Sequence, residues 1–192
     1  MSESTIHIHA ETTPNPHTMR FVVNRELVAG GTVNFRDAAG AKNSPLASAL
    51  FEIAGVQGIL IGQGFVTVTK SPETLWSELA QSCTRTLRTV LETVEDVIGA
   101  PVGGHAAPAA FAGADTSDPI SLKIQEILDA EIRPAVAMDG GDIVFYGFKD
   151  GIVSLHMQGS CSSCPSSVMT LKMGVENRLK MLIPEVKEVV QV

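Results

Sequence analysis

The stretch from Gly99 to Asp118 limits most strongly what this chain can become. Gly, Ala and Pro dominate it, and no period is visible, so it has few means of packing. As a flexible coil of twenty residues it reaches about 25 Å end to end. The chain is therefore expected to form two small domains, residues 1–98 and 119–192, joined by a linker at 99–118. Hydrophobic residues are 44% of the 192 and aromatics only 5%, so each core is expected to be aliphatic.

The first half starts with a tail and a stiff, extended Thr13-Pro14-Asn15-Pro16. Strands are expected at Met19–Asn24 and Thr32–Phe35. Ser44-Pro45 reads as an N-cap followed by proline at the first helical position. Leu46, Ala49, Leu50 and Ile53 give that helix an apolar face, and Gly55 ends it. Ile59-Leu60-Ile61, Gly62-Gln63-Gly64 and Phe65–Thr69 read as a hairpin. Ser71-Pro72 is expected to open a second helix, with Leu75, Leu79, Cys83, Leu87, Val90, Val94 and Val97 as its buried stripe.

In the second half Asp118-Pro119 opens a helix with Ile120, Ile124, Ile127, Leu128 and Ile132 on one side, and Pro134 is expected to end it. Asp139-Gly140-Gly141-Asp142 is a glycine-rich turn before a strand at Ile143–Phe148. Asp150-Gly151 fits a two-residue hairpin turn into Ile152–Met157. A helix from Ser166 to Leu182 and a strand from Val186 to Val192 complete the order. Neither half alternates strands and helices as a doubly wound sheet does, so both domains are expected to be α+β.

The formal charge of −7 argues against nucleic acid as a partner, because phosphate binding needs clustered Lys and Arg. No apolar run approaches the roughly 18–20 residues of a membrane helix. Met1–Glu11 contains Glu3 and Glu11 and no Arg or Lys, which fits neither a secretory signal nor a transit peptide. A cytosolic protein is expected, or one already processed.

Chemistry concentrates in Gly159-Ser160-Cys161-Ser162-Ser163-Cys164-Pro165. Two thiols three positions apart can grip one metal centre from one side, and a helix N-terminus just beyond them should lower their pKa values. A structural zinc or a cubane cluster takes four such ligands, and the remaining cysteine, Cys83, sits on a helix stripe across the linker. Either two chains share a centre, or the pair binds weakly or forms a redox disulfide. Dithiol oxidoreductase and structural zinc module both stay open on spacing alone.

The residues Asp139-Gly140-Gly141-Asp142, Gly159–Ser167, Thr170-Leu171-Lys172, Gly174, Glu176 and Pro184-Glu185-Val186 closely resemble the C-terminal domain of the NifU/Nfu iron–sulfur scaffold proteins. Thr13-Pro14-Asn15-Pro16, Arg20-Phe21, Ser44–Ala47, Leu50-Phe51 and Ile53–Val56 resemble the Nfu N-terminal domain. The resemblance implies a carrier, not an enzyme, that receives a [4Fe–4S] cluster from upstream donors and passes it to apo-proteins. It implies Cys161 and Cys164 as the ligands, across a homodimer. The N-terminal domain, without a Cys pair, is implied to engage donors or clients. The domain order resembles the mitochondrial-type arrangement, but with no targeting peptide in Met1–Glu11 a bacterial cytoplasmic protein is expected and a mitochondrial one less so.

Other candidates read as structural. Cys83 is expected to be a buried, inert thiol. His7, His9, His17, His105 and His156 are scattered. Asp139 and Asp142 are expected to cap their turn, Lys172 to be a solvated charge, and Met138, Met157, Met169, Met173 and Met181 to fill core gaps.

Overall fold

The computed structural model describes residues 5–99, 118–162 and 165–192. The chain divides into two compact units, Met1–Gly104 and His105–Val192. Most of the expected linker, with His105, lies outside the described residues. Both units combine sheet and helix, so the chain is α+β.

The first unit is an antiparallel five-stranded sheet in the order β1-β2-β5-β4-β3. Its strands are β1 (Ile8–Thr12), β2 (Thr18–Val23), β3 (Val33–Phe35), β4 (Val56–Ile61) and β5 (Phe65–Lys70). Helices α1 (Pro45–Phe51) and α2 (Trp76–Thr93) supply the rest of its core. Phe21, Ile59, Ile61, Val66 and Val68 from the sheet meet Leu46, Leu50, Cys83 and Leu87 from the helices, all essentially inaccessible to water.

The Ser44 cap forms as its chemistry requires. Its hydroxyl accepts from Ala47 N at 3.1 Å and donates to Val97 O at 2.7 Å. Gly55 adopts φ +96° after α1, a region that favours glycine.

Two local expectations fail here. The tail before Thr13 is partly a strand: β1 pairs with β2 from Ile8↔Val23 to Thr12↔Met19. The Thr13–Pro16 segment is the tight connection between them. Buried Asn15 organises it, accepting from His17 N on Oδ1 and from Thr18 N on its carbonyl. Ser71-Pro72 does not start α2. The Ser71 hydroxyl pairs with the Thr74 hydroxyl at 2.8 Å, and Leu75 is extended at φ −96°, ψ 139°. The helix therefore begins at Trp76, and Leu75 is left 62% exposed instead of lying in the stripe. Val94 and Val97 fall past its end.

The second unit holds α3 (Pro119–Ile127), a π-helical turn at Leu128–Ile132, α4 (Arg133–Met138), β6 (Gly141–Lys149), β7 (Ile152–Gly159), α5 (Pro165–Leu182) and β8 (Glu188–Gln191). Asp118 caps α3, accepting from Ile120 N and Ser121 N. Pro134 does not stop the helix. A proline lacks the N–H of the i→i−4 bond, and its ring collides with the carbonyl one turn back. The widened turn immediately before it relieves both demands, so α4 continues to Met138.

The sheet order is β6-β7-β8, with β6 and β7 antiparallel and β7 and β8 parallel. Asp150 and Gly151 form the two-residue turn with positive φ of 55° and 90°. Between Phe145 and Gly147 the register shifts, leaving Tyr146 as a bulge. Ile143, Leu155, Met157, Val175, Leu179 and Val189 form the aliphatic core. Only Met157 among the five methionines named above fills core; Met138, Met169, Met173 and Met181 are 74%, 60%, 58% and 75% exposed.

Candidate metal centre

β7 ends in a sharp reversal. Gly159 takes φ +62°, and Ser162 returns both its N–H and its hydroxyl to the Gly159 carbonyl, at 3.1 and 2.9 Å. Ser160 N donates to Gly140 O at 3.2 Å, so the Asp139–Asp142 turn and the cysteine loop are stitched together. Gly140, with φ +77°, lets that turn close.

Cys161 stands at the centre of this junction. Its side chain points into the core of the second unit and is only 7% exposed. Its Sγ occupies the place where a side chain at Gly141 would begin, since a Cβ there would collide with that sulfur. The glycine at 141 is thus demanded first by the cysteine, and then by the Gln158 carbonyl and the Ser160 hydroxyl, each 3.1 Å from that Cβ position. Ser160 Oγ lies 3.8 Å from the sulfur.

Burial pushes the Cys161 thiol up to about 11 against the lowering effect of the Ser160 hydroxyl, and the negative charges of Asp139 and Asp142 add smaller rises. The helix end was expected to lower it. The direction reverses because the sulfur faces apolar side chains, where loss of hydration dominates. Cys164, the second expected ligand, lies outside the described residues.

The Asp142 carboxylate is not primarily a turn cap. Its side chain is 3% exposed and accepts a two-pronged contact from Arg133, with Nε–Oδ1 at 2.9 Å and Nη2–Oδ2 at 3.0 Å. Arg133 also donates to Asp129 Oδ1 at 2.9 Å. The forked guanidinium neutralises a carboxylate two positions from Gly140 and next to Gly141. Arg133 carried no signal in the sequence reading. Its position directly before Pro134 on a helix side became meaningful only once the helix ran on past the proline.

The other candidates separate. Cys83 is fully buried in the first unit, with its thiol pushed up to about 12 by burial. His156 Nδ1 lies 2.5 Å from Val192 O, and its ring sits 5.6 Å from that of Tyr146. Lys172 pairs with Glu188 at 3.7 Å. Among the described residues no group of three or more His, Cys, Asp or Glu is placed to hold a metal ion, and no helix is long and apolar enough to cross a membrane.

Against this geometry stand two family matches. Residues 8–94 match the model described as "Scaffold protein Nfu/NifU N terminal", and residues 124–190 match the "NifU-like domain". The chain belongs to the NifU/Nfu family of scaffold proteins. The human protein named "NFU1 iron-sulfur cluster scaffold homolog, mitochondrial" is 41% identical over 96% of this chain and 71% of its own length. The protein of that name from Drosophila sechellia is 42% identical over 96% of this chain, which spans 64% of the fly protein. A solution structure of a NifU-like protein from Saccharomyces cerevisiae covers 51% of this chain and 89% of its own, at 25% identity and a TM-score of 0.46.

The bacterial cytoplasmic expectation is overturned, since these family relatives are named as mitochondrial. It rested on the composition of the first eleven residues. Residues 8–12 are a sheet strand, so their composition answers to strand pairing.

Proposed function

We propose that the chain binds a [4Fe–4S] cluster through Cys161 and Cys164, shares it with a second copy, and hands it to apo-proteins after receiving it from upstream donors. Residues 119–192 would carry the cargo, residues 1–98 would meet donors or clients, and residues 99–118 would tether the two. The scaffold role comes from the family. The relatives' names support iron–sulfur cargo and a mitochondrial setting.

One observation carries the sharing. The chain has three cysteines, and Cys83 is fully buried in the other unit's core. Two thiolates remain for a centre that takes four. A site split between subunits also releases its cargo when they part.

Loading requires Cys161 to lose a proton that its surroundings hold tightly and to turn out of the core. The positive charge of iron supplies the compensation, since a coordinating thiol is deprotonated by the metal. A thiol held up near 11 is a poor attacking nucleophile at neutral pH, which argues against the dithiol oxidoreductase.

Anaerobic reconstitution with iron and sulfide, followed by Mössbauer spectroscopy and native mass measurement, tests the proposal. The expected product is a dimer with one [4Fe–4S] cluster, lost in Cys161→Ser and in Cys164→Ser and kept in Cys83→Ser. A loaded monomer, or a full cluster in either of the first two variants, refutes the ligand assignment. Removal of residues 1–98 should preserve assembly and impair delivery; delivery unchanged for every client refutes the role of that unit.

A further inference from the structure

Helix α5 begins directly after the cysteine loop and presents one face that nothing in its own unit explains. Thr170, Met173, Gly174, Asn177 and Met181 are all exposed and fall within an arc of about 100°. Met169 borders it. Met169, Met173 and Met181 are 60%, 58% and 75% exposed, a heavy apolar load for a solvent-facing ridge. A Cβ on Gly174 would meet nothing within 4 Å, so no packing among the described residues accounts for a glycine in mid-helix, where it weakens the helix.

The face also lacks charge. The four charged side chains of α5 are all engaged within the chain: Lys172 with Glu188, Glu176 with Lys180, and Arg178 with Glu131. A face meeting an identical copy of itself must avoid like charges in opposition, and this one does.

We propose that this ridge is the contact through which two copies meet, α5 running parallel to α5 about a two-fold axis, with Met173 of each packed over Gly174 of the other. This rests on the shared-cluster reading and adds to it the surface and the direction of packing. Direction follows from length. Gly174 lies nine residues beyond Pro165, about 13.5 Å along the helix. Antiparallel helices crossing at Gly174 would hold their N-terminal ends about 27 Å apart. No centre with metal–sulfur bonds of about 2.3 Å spans that gap. Parallel packing holds both ends at roughly the 8–10 Å of close helix pairs, which is compatible with a shared centre. In a parallel pair, Met173 and Gly174 lie on opposite sides of the contact line, so each methionine meets the partner's glycine, and the missing Cβ is the space it fills.

One helix ridge falls well short of the roughly 1,200 Å² of a standard stable interface. The pair is therefore expected to hold only when the cargo links it. That matches a surface whose apolar side chains stand open in the single chain.

The test uses the full-length chain reconstituted anaerobically with iron and sulfide, its dimer measured by sedimentation against concentration. Met173→Glu is expected to weaken the loaded dimer at least tenfold, and Met173→Lys likewise, since either sign of charge would be buried against the partner's Gly174. Gly174→Ala is expected to raise the melting temperature of the unloaded chain, because alanine favours the helix, while weakening the loaded dimer. Leu122→Glu, at another exposed apolar position of the same unit, is the control and should leave the dimer unchanged. A wild-type loaded dimer that Met173→Glu and Gly174→Ala leave unaltered overturns the ridge and spares the shared-cluster reading. A loaded wild-type monomer overturns both.

Discussion

Removing Arg133 gives a sharp test of how the cysteine loop is held. Its guanidinium is bound to both oxygens of Asp142, whose side chain is 3% exposed while that of Arg133 is 32% exposed. Arg133→Met keeps much of the aliphatic stem and takes the counter-charge from a buried carboxylate that otherwise accepts from the Ile143 N–H at 2.8 Å. Breaking such a pair from one side costs about 3–5 kcal/mol. Water reaches the arginine side, so the low end, about 3 kcal/mol, is expected. Arg133→Met with Asp142→Asn should recover at least half of this, because the stranded charge is then gone. Urea unfolding supplies the assay. The single tryptophan, Trp76, belongs to the first unit and the single tyrosine, Tyr146, to the second. The tyrosine near-ultraviolet signal should lose its midpoint to lower urea while the tryptophan fluorescence transition stays in place. A shift below about 1 kcal/mol, or one shared by both signals, refutes the reasoning.

Three other outcomes follow from the geometry. Gly141→Ala should cost about 1–3 kcal/mol through overpacking against the Cys161 sulfur, and far less in a Cys161→Ala background, as a double-mutant cycle in urea would show. The Cys161 thiol rises from 9.0 to about 11 on folding. Its contribution is thus complete below pH 9 and fades as pH climbs through 11, where the unfolded chain has lost a proton that the folded chain keeps. The difference in stability between wild type and Cys161→Ser should shrink by roughly 2–3 kcal/mol over that interval, and a flat difference refutes the assigned cause. Ser44→Ala removes a buried cap and the bond to Val97, and should destabilise the first unit by about 1–3 kcal/mol, read from Trp76 fluorescence.

The sequence revealed those elements whose causes are local. Ser44-Pro45 and Asp118-Pro119 cap helices because a side-chain oxygen bonds to an N–H two or three positions ahead. Asp150-Gly151 turns because both residues tolerate positive φ. Ser71-Pro72 looks the same on paper and fails, since the Thr74 hydroxyl takes the serine's and the chain extends through Leu75. Strand β1 escaped because its evident partner, β2, lies across a turn organised by buried Asn15. At the site, the two glycines and the cysteine pair were visible, but the contact of Gly141 with the Cys161 sulfur was not. The rise in the Cys161 pKa is a property of the core around it, and no count of residue spacing reports that. Arg133 was hidden by the expectation that Pro134 must end a helix, which a single widened turn circumvents.

The inward sulfur of Cys161 has an energetic corollary. The empty chain uses that atom as filling; on the proposed ligand assignment, a cluster that claimed it would leave a void the size of a thiol behind, and its release would let the interior close. Under that assignment, retention and surrender of cargo would be set against each other inside one small hydrophobic cluster, with repacking on the side of surrender.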